Sequence, residues 1–312
     1  MHIFPERTSL DGLGSEVFKL VSYGASREQW AEWLRVPLEH AASRGNPNLV
    51  ERLLQAGADA GAGWRGCRGR TLLDAAALGG NADVMSALIR GGAGADVNKV
   101  TVSSRRSALH TATCCGHEAA AKRLVLTGAD VNFRDPVAKC SVLSQAIQGS
   151  HTQLVNDLPI GGARPNIRDD CGLGKTTYVT TFMLAVRRGH LAIVETLLEA
   201  GADCSLRQWA DYSPLDVAAE HRALPILEAI LGRGVDVDAQ DRAGCTALHT
   251  AVLFSDRAGP AVHMLIEAGA NTELKNGGGW TPLHAAAVHH RVNCMAALLQ
   301  NNASVRNRFD AT

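Results

Sequence analysis

Thr281-Pro282-Leu283-His284-Ala285-Ala286-Ala287 decides how this chain is read. Related heptads begin at Val36, Thr71, Ser107, Ser141, Thr180, Ser213 and Thr246, with successive starts 35, 36, 34, 39, 33, 33 and 35 residues apart. Each heptad is followed by a Gly-Ala-Asp-like turn, as at Gly57-Ala58-Asp59, Gly128-Ala129-Asp130, Gly201-Ala202-Asp203 and Gly269-Ala270-Asn271. A pattern that recurs at a fixed period marks a repeat array, so the 312 residues are not to be divided into compact domains by length.

The residues of the repeat explain themselves. Thr or Ser at its head suits a helix N-cap, because the hydroxyl accepts an otherwise unpaired N–H of the first turn. Proline next to it, as at Pro37, Pro214 and Pro282, removes an N–H that has no intrahelical partner. Alanine pairs such as Ala75-Ala76 and Ala218-Ala219 let helices approach closely. Gly45, Gly80, Gly116 and Gly189 mark a turn expected to need positive φ. A second helix follows, amphipathic through residues such as Leu191, Ile193, Val194, Leu197 and Leu198. The stretch from Asp236 to Cys245 typifies the extended finger that leads into the next heptad. One helix pair cannot bury its apolar face alone, so neighbouring repeats must supply the other wall.

A period near 33 with T-P-L-H-x-A resembles the ankyrin-repeat family, from Val36 to about Val305. The resemblance implies an all-α ankyrin solenoid of about eight repeats, helix-turn-helix pairs with β-turn finger loops, spanning residues 36–312. Residues 1–35 are expected to be an N-terminal segment with a capping helix at 26–35. There Ser26 and Gln29 fit a capping box, and Trp30 and Trp33 are placed to cover the first repeat.

Two places depart from the pattern. The fourth repeat opens Ser141-Val142-Leu143-Ser144, without Pro or His, and Pro159 stands where other second helices have Leu. Proline inside a helix costs about 3 kcal/mol and less near an end, so residues 141–180 are expected to form a soft joint. At the C-terminus, Val292, Met295, Leu298 and Leu299 read like an internal repeat rather than a polar cap, and Arg306 to Thr312 looks like the start of a ninth finger.

The totals exclude several classes. Lys plus Arg and Asp plus Glu are both 31, so no overall charge favours nucleic acid, and none is expected as partner. No long apolar window indicates membrane insertion, and Met1 to Asp11 lacks the apolar core of a secretory signal. The eight cysteines form no C-x-x-C pair, which suits reduced thiols and an intracellular setting, cytoplasmic or nuclear. Gly172-Leu173-Gly174-Lys175-Thr176-Thr177 resembles the end of a phosphate-binding loop, but Asp169 stands where the first glycine is required. This stretch reads as an expanded finger. His289, His290 and Cys294 cluster in sequence, yet a turn is expected between them, and neither a metal nor a cofactor is assigned. The repeats consume nearly the whole chain, so no catalytic role is expected.

What remains is binding. The family resemblance implies a concave ligand face built from finger tips and the last residues of each first helix. On it fall Trp64, Arg65, Arg187, Arg188, Trp209, Tyr212, Arg242, Phe254, Trp280 and His289. Trp, Tyr and Arg carry most interface energy, and these residues concentrate in repeats five to seven. The expected function is a non-catalytic scaffold or adaptor for a protein partner. The alternative is the regulatory array of a larger kinase, ubiquitin ligase or channel.

Overall fold

The computed structural model describes residues 33–60, 70–91, 96–102, 105–136, 139–170 and 178–300. Within them sixteen α-helices form eight consecutive pairs: α1 Arg35–Arg44 with α2 Pro47–Gln55, α3 Leu72–Leu78 with α4 Ala82–Arg90, α5 Ala108–Cys114 with α6 Glu118–Leu126, α7 Val142–Gln148 with α8 Thr152–Ile160, α9 Thr181–Arg188 with α10 Leu191–Glu199, α11 Pro214–Glu220 with α12 Leu224–Leu231, α13 Ala247–Phe254 with α14 Gly259–Glu267, and α15 Pro282–Val288 with α16 Val292–Gln300. Each first helix packs on the first helices of its neighbours, and each second helix likewise, giving two stacked rows from α1 to α16. One strip of buried Leu, Ile, Val and Ala runs through the stack from Leu34 to Leu298.

The caps follow the sequence closely. The hydroxyls of Thr71, Ser107, Ser141, Thr180, Ser213 and Thr281 each accept the N–H three residues on, and Thr246 sits in a capping box with His249. The first repeat differs: its helix already begins at Arg35, preceded by Leu34, so Val36 caps nothing and is exposed. Leu34 is buried against this repeat while Trp33 is 51% exposed, so the aliphatic residue supplies the cover there. Trp30 and most of the expected capping helix lie outside the described residues, as do Asn301 to Thr312.

Gly45, Gly80, Gly116 and Gly189 all adopt positive φ, between +72° and +74°. At Gly80 a second constraint applies: a β-carbon would meet Nδ1 of His117 at 2.6 Å, because the next repeat's ring fills that space.

Pro159 does not break its helix. It is the penultimate residue of α8, with Leu154, Val155 and Leu158 buried as in the other repeats. The bond it forfeits, to the carbonyl of Val155, lies in the last turn, where helices fray in any case. The only strands among the described residues are β1 Arg168–Asp170 and β2 Tyr178–Thr180, an antiparallel pair that closes the base of the fifth finger. The array is helical, as expected, with one small hairpin in a finger. Residues 171–177, the phosphate-loop-like stretch, lie outside the described residues.

Candidate partner-binding surface

The fingers of repeats six to eight are tied into one hydrogen-bonded row. In the sixth, Gln208 N donates to Tyr212 O at 2.9 Å, closing a tight turn with Trp209 at its tip. From the seventh, Arg242 donates its backbone N–H to Ala210 O at 3.0 Å and pairs its guanidinium with Asp211 at 3.2 Å. Arg207 donates to the carbonyls of Asp211 and Gln240 at 2.8 and 2.7 Å. Gln240 donates to Lys275 O at 3.0 Å, and Gly277 N to Ala243 O at 2.7 Å. Arg242 and Asp211 are both largely exposed, and such a surface pair is worth at most about 1 kcal/mol. The row is held mainly by bonds to backbone, which leaves the outward side chains available.

Tyr212 and Trp280 directly precede their heptads. The same position holds Cys140, Val179 and Cys245, all buried, so it faces the stack. Tyr212 is accordingly half-buried against the core and hydrogen-bonds Thr250 of the next repeat; burial pushes its phenol up to about 12. Trp280 is half-buried as well, and its carbonyl accepts from Asn276 N and from the His249 ring, each at 2.9 Å. His249 is kept neutral by burial. Thr246 N–H donates to its Nδ1, which leaves Nε2 as the protonated nitrogen that donates to Trp280 O.

At the opposite ends of the first helices, Arg187 and Arg188 close α9 and are exposed. Phe254, the last residue of α13, is 53% exposed, and His289, after α15, is exposed. Between their ends these helices are closed to solvent: Thr181–Val186, Pro214–Ala219 and Ala247–Val252 are all buried. The expected surface therefore divides into two strips, fingers on one side and helix ends with their turns on the other. A seven-residue helix separates them, about 10 Å long. Arg242 and Trp209 lie on the first strip, Arg187, Arg188, Phe254 and His289 on the second; Trp64 and Arg65 fall outside the described residues. Exposed Arg222, Arg257 and His290 also stand in the turn strip; the sequence offered His290 only as part of a histidine–cysteine cluster and the two arginines not at all, because glycine was expected to mark these turns.

The other candidates resolve into structure. His289 and His290 are exposed while Cys294 is fully buried and donates to Ser255 O at 3.2 Å, so the three share no face. His117 Nε2 lies 3.1 Å from Leu78 O and His190 Nε2 lies 3.0 Å from Ser150 Oγ, each reaching back to the preceding repeat. His110 is the exception among the heptad histidines: its Nδ1 has no partner among the described residues, and burial lowers its pKa to about 4. Neutral His110, 3.8 Å from Asp135, forms no ion pair; Arg106, at 2.6 Å, balances that carboxylate. No helix among the described residues is long and apolar enough to cross a membrane.

Comparison with known proteins gives the same picture. A family model described as ankyrin repeats (3 copies) matches residues 38–135, 143–241 and 216–308. The Arabidopsis thaliana E3 ubiquitin-protein ligase KEG is 25% identical over 88% of this chain, which covers 17% of that protein. The human ankyrin repeat and SOCS box protein 6 is 37% identical over 38% of this chain and 29% of its own length. The mouse B-cell lymphoma 3 protein homolog is 28% identical over 64% of this chain and 43% of its own. The chain thus spans less than half of each of these relatives. Among solved structures, the human ASB11 ankyrin repeat domain superposes with a TM-score of 0.60 at 29% identity, covering 76% of this chain and all of that one. An Acinetobacter baumannii ankyrin repeat domain, 24% identical with a TM-score of 0.57 over 63% of this chain and 98% of that one, shares the fold.

Proposed function

Since this chain belongs to the ankyrin-repeat family, whose repeats are protein–protein interaction modules, we propose that it is a non-catalytic scaffold or adaptor that holds a protein partner across repeats five to seven. The observation that carries this reading is the hydrogen-bonded finger row with exposed arginines and the exposed Phe254 at its margins. Arg242 and the tip residue Trp209 stand on the fingers, with Arg187, Arg188 and Phe254 at the helix ends. Side chains on a pre-formed frame lose little freedom on binding, which is where interfaces gain affinity.

The test is affinity capture from the source organism with the wild-type chain and with a variant carrying Arg187→Ala, Arg188→Ala, Trp209→Ala and Phe254→Ala. Tyr212 enters as Tyr212→Phe, because alanine there would open the core rather than the surface. The variant should melt within a few degrees of wild type and lose the captured protein. Capture that survives every substitution rejects the surface.

A second reading is favoured by the small share of its relatives that this chain spans, 17% of the ubiquitin ligase and 29% of the SOCS box protein. In it the array regulates or recruits for an effector domain on the same polypeptide. The mass of the endogenous protein separates the two: a product much larger than 312 residues supports the second.

A further inference from the structure

The turn strip changes character halfway along the stack. At the last two positions of the first helix and in the turn behind it, repeats one to four carry one arginine, Arg44, among small and neutral residues. Repeats five to eight carry Arg187, Arg188, Arg222, Arg257 and Arg291 against two acids, Glu220 and Asp256. Arg291 is committed to the fold, donating to Leu253 O at 2.9 Å. The other four arginines are exposed, and none has a carboxylate partner among the described residues.

Three side chains in this strip occupy backbone that disfavours them: Ser150 in the fourth repeat, with φ of +59°, and two large ones in the second half. Arg222 and His290 have φ of +54° and +55°, at the turn position that glycine fills in the first, second, third and fifth repeats. A β-carbon in left-handed backbone is unfavourable, and nothing in the turn requires an arginine there. In repeats five to eight, Phe254 and Val288, each 53% exposed, are the large exposed apolar side chains of the strip; in the first half Leu78 is 43% exposed.

We propose that the strip formed by Arg187, Arg188, Arg222 and Arg257, with Phe254 and Val288 beside it, binds an extended acidic peptide segment that carries an apolar side chain. This deepens the protein-binding reading above and rests on it. The helices α9, α11, α13 and α15 pack in series, and packed helices lie about 8–10 Å apart. That spacing equals about three residues of extended chain, so carboxylates at every third position meet successive repeats. Guanidinium groups accept carboxylates in bidentate geometry, which supplies register as well as attraction. A nucleic-acid backbone fits less well, because the strip is interrupted by Glu220, Asp256 and the two apolar groups.

Fluorescence anisotropy on the full chain tests this with three probes. One is a labelled twelve-residue peptide with Glu at every third position and one central Phe; the second replaces Glu by Lys; the third is a short DNA duplex. The Glu peptide should bind at least about tenfold tighter than the Lys peptide, and more weakly as salt rises. The Arg187→Glu/Arg188→Glu double variant should weaken it about tenfold, whereas Arg44→Glu in the first repeat should not. Arg222→Gly should raise the melting temperature and still weaken the Glu peptide, a pairing of effects that a purely structural role does not produce. No binding of the Glu peptide, equal binding of the Lys peptide, indifference to charge reversal, or tighter binding of the duplex would each overturn the proposal. A protein captured from extract that survives Arg187→Glu/Arg188→Glu but is lost on Trp209→Ala/Arg242→Ala rejects the acidic-peptide strip alone. Capture that survives both variants rejects the protein-binding reading itself.

Discussion

The centre of the array and its C-terminal fingers solve one problem, how each repeat grips the next, with different chemistry. In the seventh repeat, His249 spans the gap, joining Thr246 of its own heptad to the carbonyl of Trp280 in the next finger. The fourth repeat has Ser144 at the position of that histidine, and a serine cannot reach so far. The next finger reaches back instead. Asp169, fully buried, accepts from Ser141 N at 2.8 Å, Ser141 Oγ at 2.5 Å and Ser144 Oγ at 2.6 Å, and Arg134 lies 3.2 Å from its other oxygen. A neutral ring joins one pair of repeats; a buried charge with a half-exposed counterion joins the other. The centre is therefore expected to be the more sensitive to loss of one side chain, through its electrostatics rather than through the proline in α8.

The largest consequence is at Asp169. Asp169→Ala removes the buried acceptor for three donors, while half-exposed Arg134 keeps its bonds to Lys139 O and Arg168 O, and the loss should be about 3 kcal/mol. Trp280 uses only its backbone to hold His249, so Trp280→Ala should leave that joint intact. In urea, Asp169→Ala is expected to split the unfolding transition between the fourth and fifth repeats, with native-state hydrogen exchange showing the earliest loss of protection at 141–180. A loss below about 1 kcal/mol with a single sharp transition would show that the neutral and charged joints are equivalent.

The two halves also respond to acid in opposite senses. His110 in the third repeat is held neutral down to about 4 by burial, so protonation of the unfolded chain from its ordinary 6.5 draws the equilibrium away from the fold as pH falls through that range. Asp216 in the sixth is raised by burial from 3.8 to about 6, so the folded state retains a proton that the unfolded state has lost, and stability falls as pH rises from about 4 to 6. Each shift corresponds to about 3 kcal/mol, and in the wild type the two partly cancel. Asp216→Asn keeps an acceptor for Ser213 and removes one of the opposing slopes. The stability of Asp216→Asn relative to wild type should therefore increase steadily between pH 4 and 6. A constant difference over that window would show that Asp216 does not titrate in the folded chain.

Much of this architecture was legible because the repeat announces itself through capping chemistry. Ser141 still caps its helix after Pro and His are gone, and the glycine turns needed positive φ where they were expected to. What escaped was whatever depends on a neighbour in space. Asp169 was read as the residue that spoils a phosphate loop, and nothing local shows that its carboxylate travels back to Ser141 and Ser144. Tyr212 and Trp280 were read as contact aromatics; their half-burial follows from a position that is also buried at Cys140, Val179 and Cys245. Arg222 and His290 were not read as contact residues because glycine served as the marker of the turn, and a side chain in left-handed backbone leaves no trace in composition.

The smallest effect expected comes from the finger turns, where the comparison between centre and C-terminus appears again as backbone strain. The residue just before the inward position is left-handed in five of the described fingers: Gly244 and Gly279 in the seventh and eighth, but Arg105, Lys139 and Asp211 in the third, fourth and sixth, with φ of +54°, +52° and +59°; in the fifth, Tyr178 is strand. A β-branched or straight side chain there costs about 1–2 kcal/mol that glycine avoids, offset by the entropy glycine loses on folding. Lys139 meets the Asp169 cluster only through its backbone carbonyl, which accepts from Arg134, so Lys139→Gly keeps that bond and should stabilise the chain by about 1 kcal/mol without altering the joint below it. The converse, Gly244→Lys, should destabilise by more, because a β-carbon at Gly244 meets the backbone N of Gly277 at 2.6 Å. Thermal melts of the two variants measure the asymmetry directly. Equal and opposite shifts would mean that strain alone sets these turns; a larger loss at Gly244 would show that the C-terminal fingers are also fixed by the close approach of their backbones, which the third and fourth fingers do without.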